Sequence, residues 1–210
     1  AFCPEPAEKT AFHALPPKQA EEEIDRLASA TTQSLLHLLD NAITPALLET
    51  MATRSRFLPW YGFARIGTHL EDPEFCRALR RSGCVMLKLG IESGDPKVLE
   101  KMGKGIDPDA SSRALKTLRS AGIATYVYLL FGTPGESLEE ARKALEFTRR
   151  RADSITFLNL AIFNLPATSA ASSGLTTRPF NAGDLSLFQD FDHPSGWSRR
   201  KVRLFLEREF

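Results

Sequence analysis

The sequence predicts an α/β fold built on a parallel sheet, and three observations predict it. Five short apolar runs rich in Leu, Ile, Val and aromatic residues stand at 33–39, 60–66, 84–91, 123–131 and 154–163, the length and composition of buried strands. Segments carrying helix-start signals separate them. The runs recur at intervals of about 25 to 40 residues, which leaves room for a helix in each connection. That βα rhythm belongs to a parallel sheet, closed as a barrel or open and doubly wound.

Taken in order, the chain begins with a loop and a helix. Residues 17–30 bring Ala20, Ile24, Leu27 and Ala28 to one face, the stripe of an amphipathic helix. A strand should precede it, so the first strand is expected upstream of Ala1, making six with the five visible. Thr44-Pro45, Asp72-Pro73, Asp95-Pro96 and Asp107-Pro108 each set a capping oxygen before a proline at the first helical position. Ser137-Leu138-Glu139-Glu140 is a capping box. Gly83, Gly103 and Gly122 stand where helices need a left-handed residue to end. The stretch from Pro166 to Ser195, rich in Ser, Thr, Gly and Pro, reads as a long loop leaving the last strand. "WSRRKVRLFLEREF" then reads as a helix. The expected division is a barrel unit over 1–165 and a C-terminal loop and helix extension over 166–210.

Composition narrows the function classes. With 210 residues, 42% apolar content, 25% charge and a net charge of +1, the chain can bury a full core. The balanced charge offers nothing to nucleic acid or an anionic membrane. No apolar run approaches the roughly 20 residues of a membrane span, and no signal peptide opens the chain, so a cytoplasmic location is expected. Cys3, Cys76 and Cys84 form no CxxC and are an odd count, which favours reduced thiols over disulfides. The chain lacks an initiating methionine and stops inside a helical pattern, as an excerpt of a longer protein would.

In parallel βα folds ligands gather at the carboxyl ends of the strands. The residues just past each apolar run are Asp40 and Asn41, Arg65 and Gly67, Glu92 and Ser93, Gly132-Thr-Pro-Gly-Glu-Ser137, and Asn164. Alternation places Lys88, Gly90 and Glu92 on one strand face and Leu87, Leu89 and Ile91 on the other. Glu92 is therefore expected to point into the barrel, at its carboxyl-terminal rim.

Two of these segments carry a resemblance. "LKLGIESGDPKVLEKMGKG" is similar to the fourth-strand segment of the radical S-adenosylmethionine (radical SAM) enzymes, and "AGIATYVYLLFGTPGES" to their fifth. The resemblance covers most of residues 1–165 and is closest to the branch that often has a cobalamin-binding domain upstream. It implies a partial parallel (β/α)6 TIM-like barrel, a [4Fe-4S] cluster and S-adenosylmethionine. Cluster and cofactor together would generate a 5'-deoxyadenosyl radical that acts on an organic small molecule. An electron donor such as ferredoxin or flavodoxin is implied as partner. The family's cluster signature is CxxxCxxC; "AFCPEP" fits its tail, with Cys3 as the third metal ligand and the other two upstream, so the chain alone is expected to be inactive. By the same match Glu92, with Ser93 beside it, would receive the ribose hydroxyls, Gly132 and Gly135 would admit the adenine, and Asp40 the ammonium group. Arg65 is a further cofactor-binding candidate.

Each residue also has a plainer explanation. Glu92 could cap the helix at Pro96 or pair with Lys88, "GTPGES" could be a turn with a capping box, and Arg65 could bridge carboxylates. Cys76 and Cys84 suit apolar packing. His13, His37, His69 and His193 lack metal-ligand spacing. Arg149 to Arg151 and the basic stretch at 198–203 suit solvated helix faces. A scaffold barrel without a cluster, and a phosphate-binding or aldolase-like barrel, are the competing functions.

Overall fold

The computed structural model describes residues 15–30, 35–54, 58–180 and 187–210. Helix α1 (Pro17–Ala30) leads into five strands: β1 (Leu36–Ile43), β2 (Trp60–Ala64), β3 (Cys84–Glu92), β4 (Ala124–Phe131) and β5 (Phe157–Ile162). They form one sheet in chain order, and all four pairings are parallel. Between them run α2 (Pro45–Ala52), α3 (Pro73–Arg81), α4 (Pro96–Lys101), α5 (Pro108–Ser120) and α6 (Leu138–Arg150).

Local chemistry sets these boundaries as expected. Thr44, Asp72, Asp95 and Asp107 accept backbone N–H bonds at the helix starts, each followed by proline. Ser137 and Glu140 close a reciprocal capping box on α6. Gly83, Gly103 and Gly122 have positive φ, and a Cβ on Gly83 would stand 2.6 Å from the Leu58 carbonyl oxygen.

β2 ends at Ala64 rather than 66, β3 and β4 shift by one residue at an end, and the two remaining strands differ more. β1 runs through Asp40 to Ile43 instead of ending at 39. Among the described residues it pairs only with β2, and the polar Asp40 and Asn41 ended the apolar run by which the sequence marked the strand. β5 starts at Phe157, because Ala152–Ser154 forms a 3-10 turn.

The sheet has two unlike faces. Leu87, Leu89, Ile91, Val127, Leu129 and Phe131 are fully buried against the helices, in one core with Leu48, Met51, Leu79, Leu115, Leu118 and Ala144. The opposite, concave face carries His37, Tyr61, Phe63, Lys88, Tyr126, Tyr128 and Asn159, none fully buried. Alternation along each strand thus sends aliphatic side chains outward and aromatic or polar ones to the lumen.

The segment expected to be one long loop contains structure. β6 (Leu165–Pro166), β8 (Phe188–Phe191) and β7 (Thr177–Arg178) make a small antiparallel sheet in the order β6-β8-β7, with α7 (Ala167–Ala170) after β6. Arg178 bridges Asp190 at 2.7 Å and Asp192 at 2.6 Å. The sequence concealed it because its strands are two to four residues long, too short for alternation to register. Helix α8 (Arg199–Arg208) then returns to the barrel, and Trp197, Val202 and Phe205 join the main core.

Candidate functional site

The site is built around the end of β3. Gly90 pairs with Tyr128 and Glu92 with Leu129, so Ile91 and Glu92 together face one residue of β4. This extra residue is a β-bulge. Glu92 absorbs it with φ +67°, and it is the one non-glycine residue with positive φ among those described. A left-handed glutamate costs on the order of 1 kcal/mol, and such strain persists where the surroundings over-determine it.

The twist folds the side chain back over its own strand. A Cβ built on Gly90 would stand 2.6 Å from Glu92 Oε1 and 3.1 Å from Lys104 Nζ, so the carboxylate lies on the lumen side of Gly90. Lys104 Nζ donates to Glu92 Oε1 at 2.8 Å. Both line a mouth cavity of about 220 Å³ with Phe63, Arg65, Ile106 and Tyr128. Burial and the neighbouring Tyr126 hold the Tyr128 phenol above its ordinary value.

The other predicted residues take different places. Ser93 is fully buried, and its Oγ accepts the Asp95 N–H at 3.1 Å; it shapes the turn into α4. Asp95, not Glu92, caps that helix through Lys97 N–H and Val98 N–H, and its second oxygen holds Lys143 at 3.1 Å. Lys88 pairs with His37 rather than Glu92, Nζ to Nε2 at 3.1 Å. Arg65 is exposed at the mouth, and no ion pair among the described residues includes it. Asp40 lies in β1, its side chain outside the description, and Cys3 lies outside the described residues altogether.

Gly135 lines a second cavity of about 500 Å³ with Lys101, Thr133, Pro134, Phe163 and Leu165, whereas Gly132 lines a separate small pocket with Ile162, Phe163, Trp197 and Arg199. Gly132 has φ +79°, and a Cβ there would stand 3.1 Å from Val202 Cγ2 of α8. Lys101 lies over Gly135 and donates to its carbonyl oxygen at 3.2 Å. The Thr133 hydroxyl is buried without a partner among the described residues.

Beneath this turn sits Glu136, 1% exposed. Its Oε2 accepts Gly132 N–H at 2.5 Å and Trp197 Nε1–H at 2.9 Å, while Oε1 has no partner among the described residues. Burial pushes its carboxyl up to about 7, against the pull of those two donors. His193 Nε2 donates to the Thr133 carbonyl at 2.8 Å, and Ser195 Oγ to the Glu136 carbonyl at 2.9 Å. Ser195 N–H donates to His193 Nδ1 at 3.2 Å, so the ring is satisfied as a neutral imidazole, in keeping with the lowering that burial imposes on it. Residues 193–197 therefore grip the rim turn. Sequence reading missed Lys104, Glu136, His193 and Trp197 as site residues, and only the Gly-Glu-Ser of "GTPGES" could have pointed to Glu136.

Cys76 and Cys84 are buried in the outer layer, as expected. Burial pushes Cys76 up to about 11 and Cys84 higher still, so neither offers a thiolate to a metal. Among the described residues no group of three His, Cys, Asp or Glu could hold a metal ion, and no helix is long and apolar enough to cross a membrane.

The Radical SAM superfamily model matches residues 1–148. A protein of Pyrococcus horikoshii described as an uncharacterized methyltransferase is 32% identical over 93 residues, 44% of this chain and 20% of that protein. Tryptophan 2-C-methyltransferase of Streptomyces laurentii is 28% identical over 108 residues, 49% of this chain and 18% of that enzyme. The chain thus spans about a fifth of the length of these relatives. Among solved structures, the radical SAM methyltransferase TsrM of Kitasatospora setae, with cobalamin and a [4Fe-4S] cluster bound, has a TM-score of 0.60 at 23% identity over 72% of this chain and 29% of that one. The radical SAM enzyme coproporphyrinogen III oxidase of Escherichia coli has a TM-score of 0.57 at 14% identity, over 93% of this chain and 48% of that one. These structures share the fold. With the matched family covering residues 1–148 of 210, the chain belongs to the radical SAM superfamily.

Proposed function

We propose that this chain is the cofactor-binding core of a radical SAM enzyme whose substrate is an organic small molecule in the barrel lumen. The observation that carries the reading is Glu92: a strained, left-handed carboxylate turned back over a glycine into the barrel mouth, inside the matched family region. A carboxylate with two acceptor oxygens suits a pair of ribose hydroxyls, and Gly90 leaves it room. Arg65, Lys104 and Tyr128 line the same mouth cavity, where they would orient the cofactor. Gly135 and the buried Thr133 stand at the second cavity, on the turn expected to meet the adenine, with Gly132 setting that turn's geometry. Ser93 supports the site from behind by fixing the turn. Cys3 would supply one thiolate to the cluster, with two more from upstream, and Asp40 would receive the ammonium group.

When bound, the cluster supplies the electron that cleaves the carbon–sulfur bond of S-adenosylmethionine to a carbon radical. The protein's own contribution is position and exclusion of water. The aromatic lumen wall provides the second, and the rim residues the first. The methyltransferase relatives favour methyl transfer as the reaction, with cobalamin held by an upstream domain. A reduced ferredoxin or flavodoxin would supply electrons, and a cytoplasmic setting would suit the reduced thiols.

The test uses the parent protein reconstituted anaerobically with iron and sulfide. The expected results are a [4Fe-4S] absorption band, loss of that band in Cys3→Ala, and 5'-deoxyadenosine on reduction with S-adenosylmethionine. Glu92→Gln should raise the KM for S-adenosylmethionine while leaving the cluster band intact. Upstream residues without cysteines and no cluster formation would favour a scaffold barrel instead.

A further inference from the structure

Lys88 is the lumen's unexplained charge. It projects from the middle of β3, roughly 13 Å along the strand from Glu92, and the proposed cofactor site does not use it. Its hydrogen-bond partner, His37 Nε2 at 3.1 Å, must be the acceptor, since an ammonium has only protons to give. Burial first and the Lys88 charge second hold His37 below its ordinary value, which keeps it neutral. Among the described residues Nζ also stands over the faces of Tyr61 and Phe63, at 5.3 and 5.0 Å from the ring centroids. No ion pair among the described residues includes Lys88. A half-buried ammonium whose described partners are all neutral leaves its attraction for an anion unspent, and its cation–π contacts recover only part of it.

The surroundings define what that anion is attached to. Register aligns Phe63, Lys88, Tyr126 and Phe157 across four adjacent strands. Tyr128 stacks obliquely on Tyr126 and Phe63 at 4.8 and 5.1 Å, and Phe157 is 52% exposed to the lumen. Among the described residues the middle of this wall is aromatic, with Lys88 as its point charge. A phosphate would call for several donors, a bidentate arginine or a cluster of backbone N–H groups; one ammonium suits one carboxylate.

We propose that Lys88 anchors a carboxylate of the substrate, whose remaining body is planar and apolar and packs on the lumen aromatics. This rests on reading the lumen as the substrate chamber. The experiment is calorimetric titration of the full chain with phenylacetate and with its neutral analogue phenylacetamide. Phenylacetate should bind about tenfold more tightly, the usual scale of one charge-assisted hydrogen bond. Lys88→Met should bring the pair to parity, and Lys88→Arg should keep the preference. Failure of the wild-type chain to bind phenylacetate, equal binding of the two, or an unchanged preference in Lys88→Met overturns the proposal. If Lys88→Met does not fold, the wild-type chain decides: the Lys88 ε-carbon resonance should shift with phenylacetate and stay with phenylacetamide, and absence of that shift overturns it. No cluster is needed in any arm, so a negative here is distinct from failure of the parent protein to assemble its cluster.

Discussion

Trp197 Nε1 donates to Glu136 Oε2 at 2.9 Å, joining residues 61 apart in the chain. The bond couples the C-terminal segment to the rim turn after β4, because the same oxygen accepts Gly132 N–H at 2.5 Å. A buried carboxylate with one oxygen satisfied and the other without a partner among the described residues is an expensive way to hold a turn, and its energetics can be measured.

Glu136 should make stability depend on pH in the acid-to-neutral range. Its carboxyl stands at about 7 in the fold, above the ordinary 4.5, so the unfolded chain releases the proton first. Relative to Glu136→Gln, the wild type should be most favoured below pH 4.5 and lose roughly 3 kcal/mol as pH rises through 7. Urea unfolding at pH 4.5 and pH 8 for both proteins measures the difference. Curves that stay parallel would mean Glu136 is not held neutral.

Trp197→Phe keeps the ring's packing in the core and deletes the donor. Leaving Glu136 Oε2 with one partner should cost about 1–3 kcal/mol and move the Glu136 transition to higher pH. Trp197→Ala, which also opens a cavity, should cost about 3–5 kcal/mol. Equal losses in the two variants would remove the hydrogen bond from the account.

Gly94 is where β3's turn meets α6. A Cβ there would lie 2.5 Å from Phe147 Cβ and 2.9 Å from Ala144 Cα. Gly94→Ala should therefore destabilise by about 1–3 kcal/mol through overpacking, read as a fall in Tm. Because Glu92 stands two residues earlier, its binding role should weaken with it.

Glu92→Gly separates strain from function. Glycine adopts φ +67° freely, so stability should hold within about 1 kcal/mol of wild type, the relieved strain offsetting the lost Lys104 ion pair and greater chain entropy. Binding of S-adenosylmethionine by the reconstituted parent protein should fall sharply. A variant that binds the cofactor as before would end the assignment of Glu92.

Sequence alone determined the layout that local chemistry controls. Proline after a capping oxygen fixed four helix starts, glycines fixed three helix ends, and alternation in "CVMLKLGIE" put Leu87, Leu89 and Ile91 against the helices. It also marked Glu92 as a residue of the barrel mouth, because a charge closing a buried strand needs a reason. Tertiary structure decided everything that joins distant residues. Alternation could not foresee the bulge at Ile91, which depends on the register with β4. Nor could it reveal Lys104 as the partner of Glu92, His37 as that of Lys88, or Trp197 as that of Glu136. Capping and periodicity are governed by neighbours within about four residues, whereas these pairs exist only once the sheet and helices bring their chains together; their energies depend on a burial that no local pattern encodes.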